Sequence, residues 1–348
     1  MIVGEKAGIP TGETSPAPRR VLLCRTDRLG DVILSLPCAV LLKRMFPGCR
    51  VLYLARPYPA PVIYMLSQVD DVIEWDFRED VGHLADCLRD RDLDAAVMLH
   101  PDRSLAKVLK AAAIPLRSGI AYRWYSRLFT YRHREHRKHN LKHEVEYNLS
   151  LTFATFSKVG RWEDFLPPGS VFPLDLEIPA RAVERVRSLL DGMDAGLEPK
   201  VVLHPGGGGS ADRWKVERFA QLAKRLSDAN VGIIVTGVEA ERAWCAEVSG
   251  FCGGKAVNFC GELSLPDLAA LFRSIGLLIT NSTGVLHLCR AVGGSALGLF
   301  PSDHAMSPTR WGLYGQPDRV LTPPKGKSLD AVSVQTVYLR AMKILRGA

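Results

Sequence analysis

The stretch VLLCRTDRLGDVILSLPCAVLLKRMFPGCR, residues Val21 to Arg50, decides the fold. Val21, Leu22 and Leu23 read as a short buried strand, RTDRLGD as a tight polar turn, and Val32, Ile33, Leu36 and Val40 as the apolar face of the helix that follows. Gly30 stands where the strand pattern gives way to the helix pattern and lets backbone come close to another element. Asp31 beside it is placed either to cap the helix or to face the crevice at the strand's carboxyl end.

The alternation continues outward. CRVLYLARP is a second strand, Val51 to Ala55, followed by a short helix in PVIYMLSQV and a third strand in DDVIEWD. Residues 81 to 92 read as helix, DAAVMLHP as strand and SLAKVLKAAAIP as helix, with LRSGIA a turn-bounded segment after it. Residues 160 to 180 are rich in Pro and Gly and read as a linker. Beyond them the pattern starts again, with KVVLHPGGGGS, VGIIVTG, GLLITNSTG and SALGLFP as strands separated by helical stretches, and KAVNFCG leading into the helical LSLPDLAALFRSI. Strands alternating with helices through short connections give parallel sheets covered on both faces. The expected class is therefore α/β, two Rossmann-like domains whose parallel sheets face an interdomain cleft. The boundaries are a flexible extension 1–19, a first domain 20–170, a second domain 171–330 and a terminal helix 331–348.

Composition narrows the function. With 348 residues, 47% of them hydrophobic, the chain buries substantial cores and is not disordered. No apolar run reaches the length of a membrane span, and the N-terminal residues lack the charged-then-apolar order of a signal peptide. The eight cysteines form no Cys-x-x-Cys pair and read as buried free thiols of a cytoplasmic protein; no metal site is expected. A net charge of +8 favours anionic partners. Residues 117 to 142 concentrate it, with eight Lys or Arg against one acid, so Arg132, Arg134, Arg137 and Lys138 read either as a solvated basic surface or as an arm meeting acceptor phosphates or a membrane face. No nucleic-acid-binding module surrounds them.

Two glycine turns carry further chemistry. His204-Pro-Gly206-Gly207-Gly-Gly-Ser follows a strand and precedes a helix, which presents backbone N–H groups and a helix dipole to an anion; Arg213 and Trp214 follow. It is neither a Walker loop nor a Gly-x-Gly-x-x-Gly fingerprint. In Thr283-Gly284-Val-Leu-His287, Thr283 can cap a helix, Gly284 admits backbone close to a phosphate, and His287 can donate to a phosphate or a sugar hydroxyl. No Gly-x-Ser-x-Gly elbow supports a serine hydrolase.

The segments TDRLGDVILSLPCAVLLKRMFPG, LHPGG…RWKVERFAQLAKRL and ITNSTGVLHLCRAVGGSALGLFP, in that order, resemble the ADP-heptose:lipopolysaccharide heptosyltransferase family over residues 20 to 346. The resemblance implies a GT-B fold and an inverting, metal-independent transferase with no cofactor beyond its nucleotide-sugar co-substrate, ADP-linked heptose or similar. It implies Asp31 as the general base and Gly30 beside the acceptor. Gly206 and Gly207 would lie at the donor diphosphate, with Thr283, Gly284 and His287 at the donor as well. Leu263 would lie against the nucleotide base, and Glu239 or Glu241 on the ribose. The acceptor would be an anionic lipid-linked or phosphorylated cell-envelope glycan, the location the cytoplasmic face of the inner membrane, and the terminal helix would cross back to the first domain. Two positions depart from the family: Ser282 stands for its Asp, and Asp212 for its Lys, where Arg213 is the substitute. They admit the alternative of an inactive nucleotide-sugar-binding or assembly protein that keeps the fold.

Overall fold

The computed structural model describes residues 17–76, 81–193, 198–207, 212–303 and 306–347. Most of the expected N-terminal extension and residues 208–211 of the first glycine turn lie outside the described residues.

Two parallel sheets of six strands form the frame. The first contains β1 (Arg20–Cys24), β2 (Arg50–Ala55), β3 (Asp71–Glu74), β4 (Ala95–Met98), β5 (Leu116–Ile120) and β6 (Tyr131–His133) in the spatial order 3-2-1-4-5-6. The second contains β7 (Lys200–His204), β8 (Gly232–Val235), β9 (Ala256–Asn258), β10 (Leu277–Asn281), β11 (Ala296–Leu299) and β12 (Val320–Leu321) in the order 12-11-10-7-8-9. Counted from its own first strand, the second sheet repeats the order of the first. Each is the doubly wound Rossmann arrangement, and the pair make the GT-B fold expected from the sequence. The order reverses between β1 and β4 in one half and between β7 and β10 in the other, so ligand crevices are expected past the carboxyl ends of these four strands.

Burial explains why these segments are strands. Val21, Leu22, Leu23 and Cys24 are all 0% exposed, because helices cover both faces of β1. Each such aliphatic side chain contributes roughly 1.5–3 kcal/mol on burial.

Four expectations change. The single helix after β1 is two helices, Leu29–Ile33 and Pro37–Met45, since Pro37 cannot continue a helix but starts one well. The basic arm is not all loop: LRSGI is strand β5, and Tyr131–His133 pairs with it as the edge strand β6. The linker is partly core, with Phe172, Leu174 and Leu176 buried and Leu176 bridged to Leu66. Finally, the terminal helix Val334–Leu345 does not cross back. Val337, Ala341 and Ile344 point its apolar stripe into the core of the second sheet, and Arg225 stacks on Tyr338 there. The reach back to the first half is made by the segment before it: Gly312 accepts from His143 Nε2 at 2.9 Å, and Arg310 pairs with Glu144.

Candidate active site

The two halves meet at two helix starts. A Cβ added to Gly30 would lie 3.0 Å from His287 Cδ2, and one added to Gly284 would lie 2.9 Å from Leu29 Cβ and 3.0 Å from the Gly30 nitrogen. Glycine at both positions is what lets Leu29–Ile33 and Gly284–Ala291 meet. Asp31 and Thr283 therefore stand at one place, although they are 252 residues apart in the chain.

Asp31 is held from below. Arg25, 2% exposed, donates from Nη2 to Asp31 Oδ1 at 2.7 Å, from Nε to Asp27 Oδ1 at 2.7 Å, and from Nη1 to Glu144 Oε1 at 2.9 Å. Burial disfavours the guanidinium's charge, and the three carboxylates hold it protonated. Glu144 is 0% exposed and is also met by Arg137 Nη1 at 2.5 Å and Arg310 Nε at 2.9 Å. Burial alone would raise its carboxyl, but the Arg137, Arg25 and Arg310 guanidiniums bring it down to about 2. Asp31 differs. Burial pushes it up to about 6, Arg25 opposes this, and the Asp27 and Glu144 charges add to it. A carboxylate with that pKa is both ionised at neutral pH and a fair proton acceptor.

Around the second half's turn, Asn281 at the end of β10 does the positioning. Its Nδ2 donates to the Pro205 and Gly206 carbonyls at 3.1 and 3.3 Å, and its Oδ1 accepts from the Trp214 nitrogen at 3.0 Å. Thr280 Oγ1 donates to the His204 carbonyl at 3.0 Å and lies 3.1 Å from Thr283 Oγ1. Thr283 occupies the N-cap position of its helix without a side-chain bond to it, leaving the hydroxyl turned to Thr280. His287 is 6% exposed, and burial, with His143 nearby, lowers it to about 3, so it is neutral at physiological pH.

The other expected site residues separate into three groups. Gly206, Gly207, Arg213 and Glu241 come together: the Gly207 nitrogen donates to Glu241 Oε1 at 3.2 Å, and a Cβ on Gly207 would lie 2.6 Å from Arg213 Cδ. Arg213 stacks on Trp244 at 4.5 Å, and no carboxylate pairs with it among the described residues. Of the two glutamates open as alternatives, Glu241 faces this turn and His204, while Glu239 is an exposed partner of Arg242. Leu263 is half-buried against the core, and Ser282 is half-buried beside Thr283. Third, the basic arm splits. Arg132, Arg134 and Lys138 are exposed, but Arg137 turns inward to Glu144. Asp212, the residue standing where a lysine was expected, bonds the Leu329 nitrogen and Ser328, so it fastens the C-terminal segment and leaves the turn to Arg213.

Arg25, Glu144, Arg310 and Asn281 were not singled out from the sequence. Arg25 is the first residue of the polar turn, directly after the apolar run of β1, and a charge set against so apolar a run is a signal of a buried pair. Glu144 and Arg310 carry no such signal, because 166 residues separate them. Among the described residues no cluster of His, Cys, Asp or Glu could hold a metal ion, and no helix is long and apolar enough to cross a membrane.

The family model for glycosyltransferase family 9 (heptosyltransferase) matches residues 81–339. A Haemophilus influenzae protein assigned no more finely than glycosyltransferase is 25% identical over 344 residues, 94% of this chain and 97% of that one. Lipopolysaccharide heptosyltransferase 2 of Escherichia coli is 22% identical over 345 residues, 93% and 90% of the two chains. Among solved structures, a glycosyl transferase family 9 protein from Veillonella parvula superposes with a TM-score of 0.80 at 18% identity, covering 95% and 98% of the two chains. The E. coli ADP-heptose lps heptosyltransferase II gives 0.79 at 19% identity, covering 94% and 99%.

Proposed function

The chain belongs to glycosyltransferase family 9, and from that premise we propose that it is an inverting transferase moving heptose or a related sugar from an ADP-linked donor to a lipopolysaccharide-core or other cell-envelope glycan. The observation that carries this reading is the placement of Asp31 at the junction of the two halves, with Oδ1 pinned by Arg25 and Oδ2 left for an acceptor hydroxyl. In the proposed reaction the acceptor oxygen attacks the anomeric carbon as Asp31 takes its proton, and the bond to the diphosphate breaks on the opposite face.

The leaving diphosphate needs cationic and N–H stabilisation. The Gly206–Gly207 turn, Arg213 on its Trp244 platform and the start of the helix Gly284–Ala291 are suited to that. Glu241, which faces the turn, is the glutamate we assign to the ribose hydroxyls, and Leu263 is the apolar contact we assign to the base. His287, neutral and beside Gly30, can hydrogen-bond the sugar. Arg132, Arg134 and Lys138 are exposed, and their charge suits the phosphates of a lipid-linked acceptor at the cytoplasmic face of the inner membrane. Closing the junction also keeps water from the activated sugar.

Replacing Asp31 by Asn tests the reading. Transfer from ADP-heptose to lipopolysaccharide inner-core oligosaccharide is expected to fall by about 10²–10⁴, with the calorimetric Kd for the donor unchanged. Turnover that survives the substitution removes Asp31 from the role of base.

A further inference from the structure

Beside Asp31 the crevice holds a second acid–base pair that the transfer described above leaves unused. His100 follows β4 and Asp27 follows β1, the two adjacent strands between which the order of the first sheet reverses. The His100 ring meets Asp27 through Nδ1, 3.1 Å from Oδ2, while Asp27 Oδ1 accepts from Arg25 Nε at 2.7 Å. The same guanidinium donates to Asp31, so base and pair share one anchor.

The loop carrying His100 is fixed at both ends. The Leu99 nitrogen donates to the Cys24 carbonyl at 3.0 Å, and Asp102 Oδ1 caps the helix Arg103–Ala111 by accepting from the Leu105 nitrogen at 2.9 Å. Burial would raise the Asp27 carboxyl, but Arg25 and His100 bring it down to about 2, so it is an ionised acceptor for the ring. A carboxylate on Nδ1 sets the orientation of an imidazole and turns Nε2 outward. Nε2 has no partner among the described residues, and the side chain is 41% exposed against 16% for Asp27. A pair this open adds little stability. What it does supply is a hydrogen-bonding nitrogen held in one direction, at the carboxyl edge of the sheet, next to the carboxylate that receives the acceptor's proton.

We propose that His100 is an acceptor-binding residue: Nε2 hydrogen-bonds an oxygen of the acceptor glycan next to the reacting hydroxyl, and Asp27 holds the ring for that contact. This rests on the transferase reading above and adds to it a residue and a direction of contact on the acceptor side.

Side-chain isosteres separate this role from a structural one. Glutamine reproduces the position of Nε2 but not Nδ1, and asparagine reproduces Nδ1 but not Nε2. Wild type, His100→Ala, His100→Asn and His100→Gln are compared for acceptor KM and kcat with ADP-heptose and lipopolysaccharide inner-core oligosaccharide, and for donor Kd by calorimetry. The Ala and Asn variants are expected to raise acceptor KM about tenfold, with donor Kd and Tm unchanged and KM restored by Gln. An Asn variant that behaves as wild type while Gln does not makes His100 a mere support for Asp27 and overturns the proposal, as do three variants with unaltered KM. A wild-type protein that binds the donor but transfers nothing to the oligosaccharide overturns the acceptor class and this role with it. Absence of donor binding by the wild type overturns the transferase reading itself, an outcome visible before any His100 variant is made.

Discussion

Glu144 ties the two halves together, and Glu144→Gln is the perturbation that shows how strongly. The side chain is 0% exposed and neutralises parts of three guanidiniums: Arg25 at 2.9 Å and Arg137 at 2.5 Å on Oε1, and Arg310 at 2.9 Å on Oε2. Glutamine keeps the volume but turns an amide toward one of those donors and leaves the buried charge uncompensated. Breaking a buried pair in this way costs about 3–5 kcal/mol. For a folding unit of 150–250 residues, each kcal/mol is about 2–4 °C in Tm, so a fall of roughly 10 °C is expected. The pH dependence gives a second reading of the same quantity. Glu144 is lowered from 4.5 to about 2 in the folded protein, so its contribution is present in full above pH 4.5 and is lost as pH falls toward 2. Urea unfolding of wild type and variant is therefore expected to differ by a constant amount at neutral and mildly acidic pH, and to converge below the unfolded-state pKa. A Tm unchanged at neutral pH, or a difference that persists undiminished in acid, refutes the role given to this carboxylate.

Gly284→Ala places a methyl 2.9 Å from Leu29 Cβ and 3.0 Å from the Gly30 nitrogen, so the two helix starts must separate; kcat is expected to fall by at least tenfold while each half keeps its secondary structure by circular dichroism. Asp31→Asn carries a stability consequence beside the loss of transfer. The native carboxyl is raised from 3.8 to about 6, so in wild type the ionised group costs stability above about pH 6 and nothing below its unfolded pKa. The Asn variant is therefore expected to have the higher Tm at pH 8, with the gap closing toward pH 4; a Tm below wild type at pH 8 contradicts that sign.

The fold was readable because its signal is local. Buried strands followed at once by polar turns and amphipathic helices appear twice, and each β-α unit announces itself within about twenty residues. Of the missed strands, β6, β9 and β12 are three, three and two residues long and lie at sheet edges, where half-buried side chains leave little pattern. In the candidate site, the turns that carry Gly30, Asp31, Gly206, Gly207 and Gly284 were legible from their glycines and their place between strand and helix. What holds Asp31 was not, because Arg25 and Glu144 come from distant segments joined by packing within the first half, and Arg310 reaches Glu144 only where the second half packs on the first. Arg137 shows the converse. In the sequence it is one of eight basic residues in a run, and only the fold separates this inward-facing guanidinium from the exposed Arg132, Arg134 and Lys138. Asp212 carries the same lesson: by sequence it interrupts the donor turn, while in the fold it caps the segment at Leu329.

The most direct measurement is a calorimetric titration of the wild-type protein with ADP-heptose, GDP-sugars and UDP-sugars side by side, repeated with Arg213→Ala. Saturable binding of ADP-heptose in preference to the others, weakened in the variant, is the result expected of a donor site built on the Gly206–Gly207 turn and Arg213. No binding across the series, or equal binding of all nucleotide-sugars with no effect at Arg213, contradicts the transferase assignment made from this crevice.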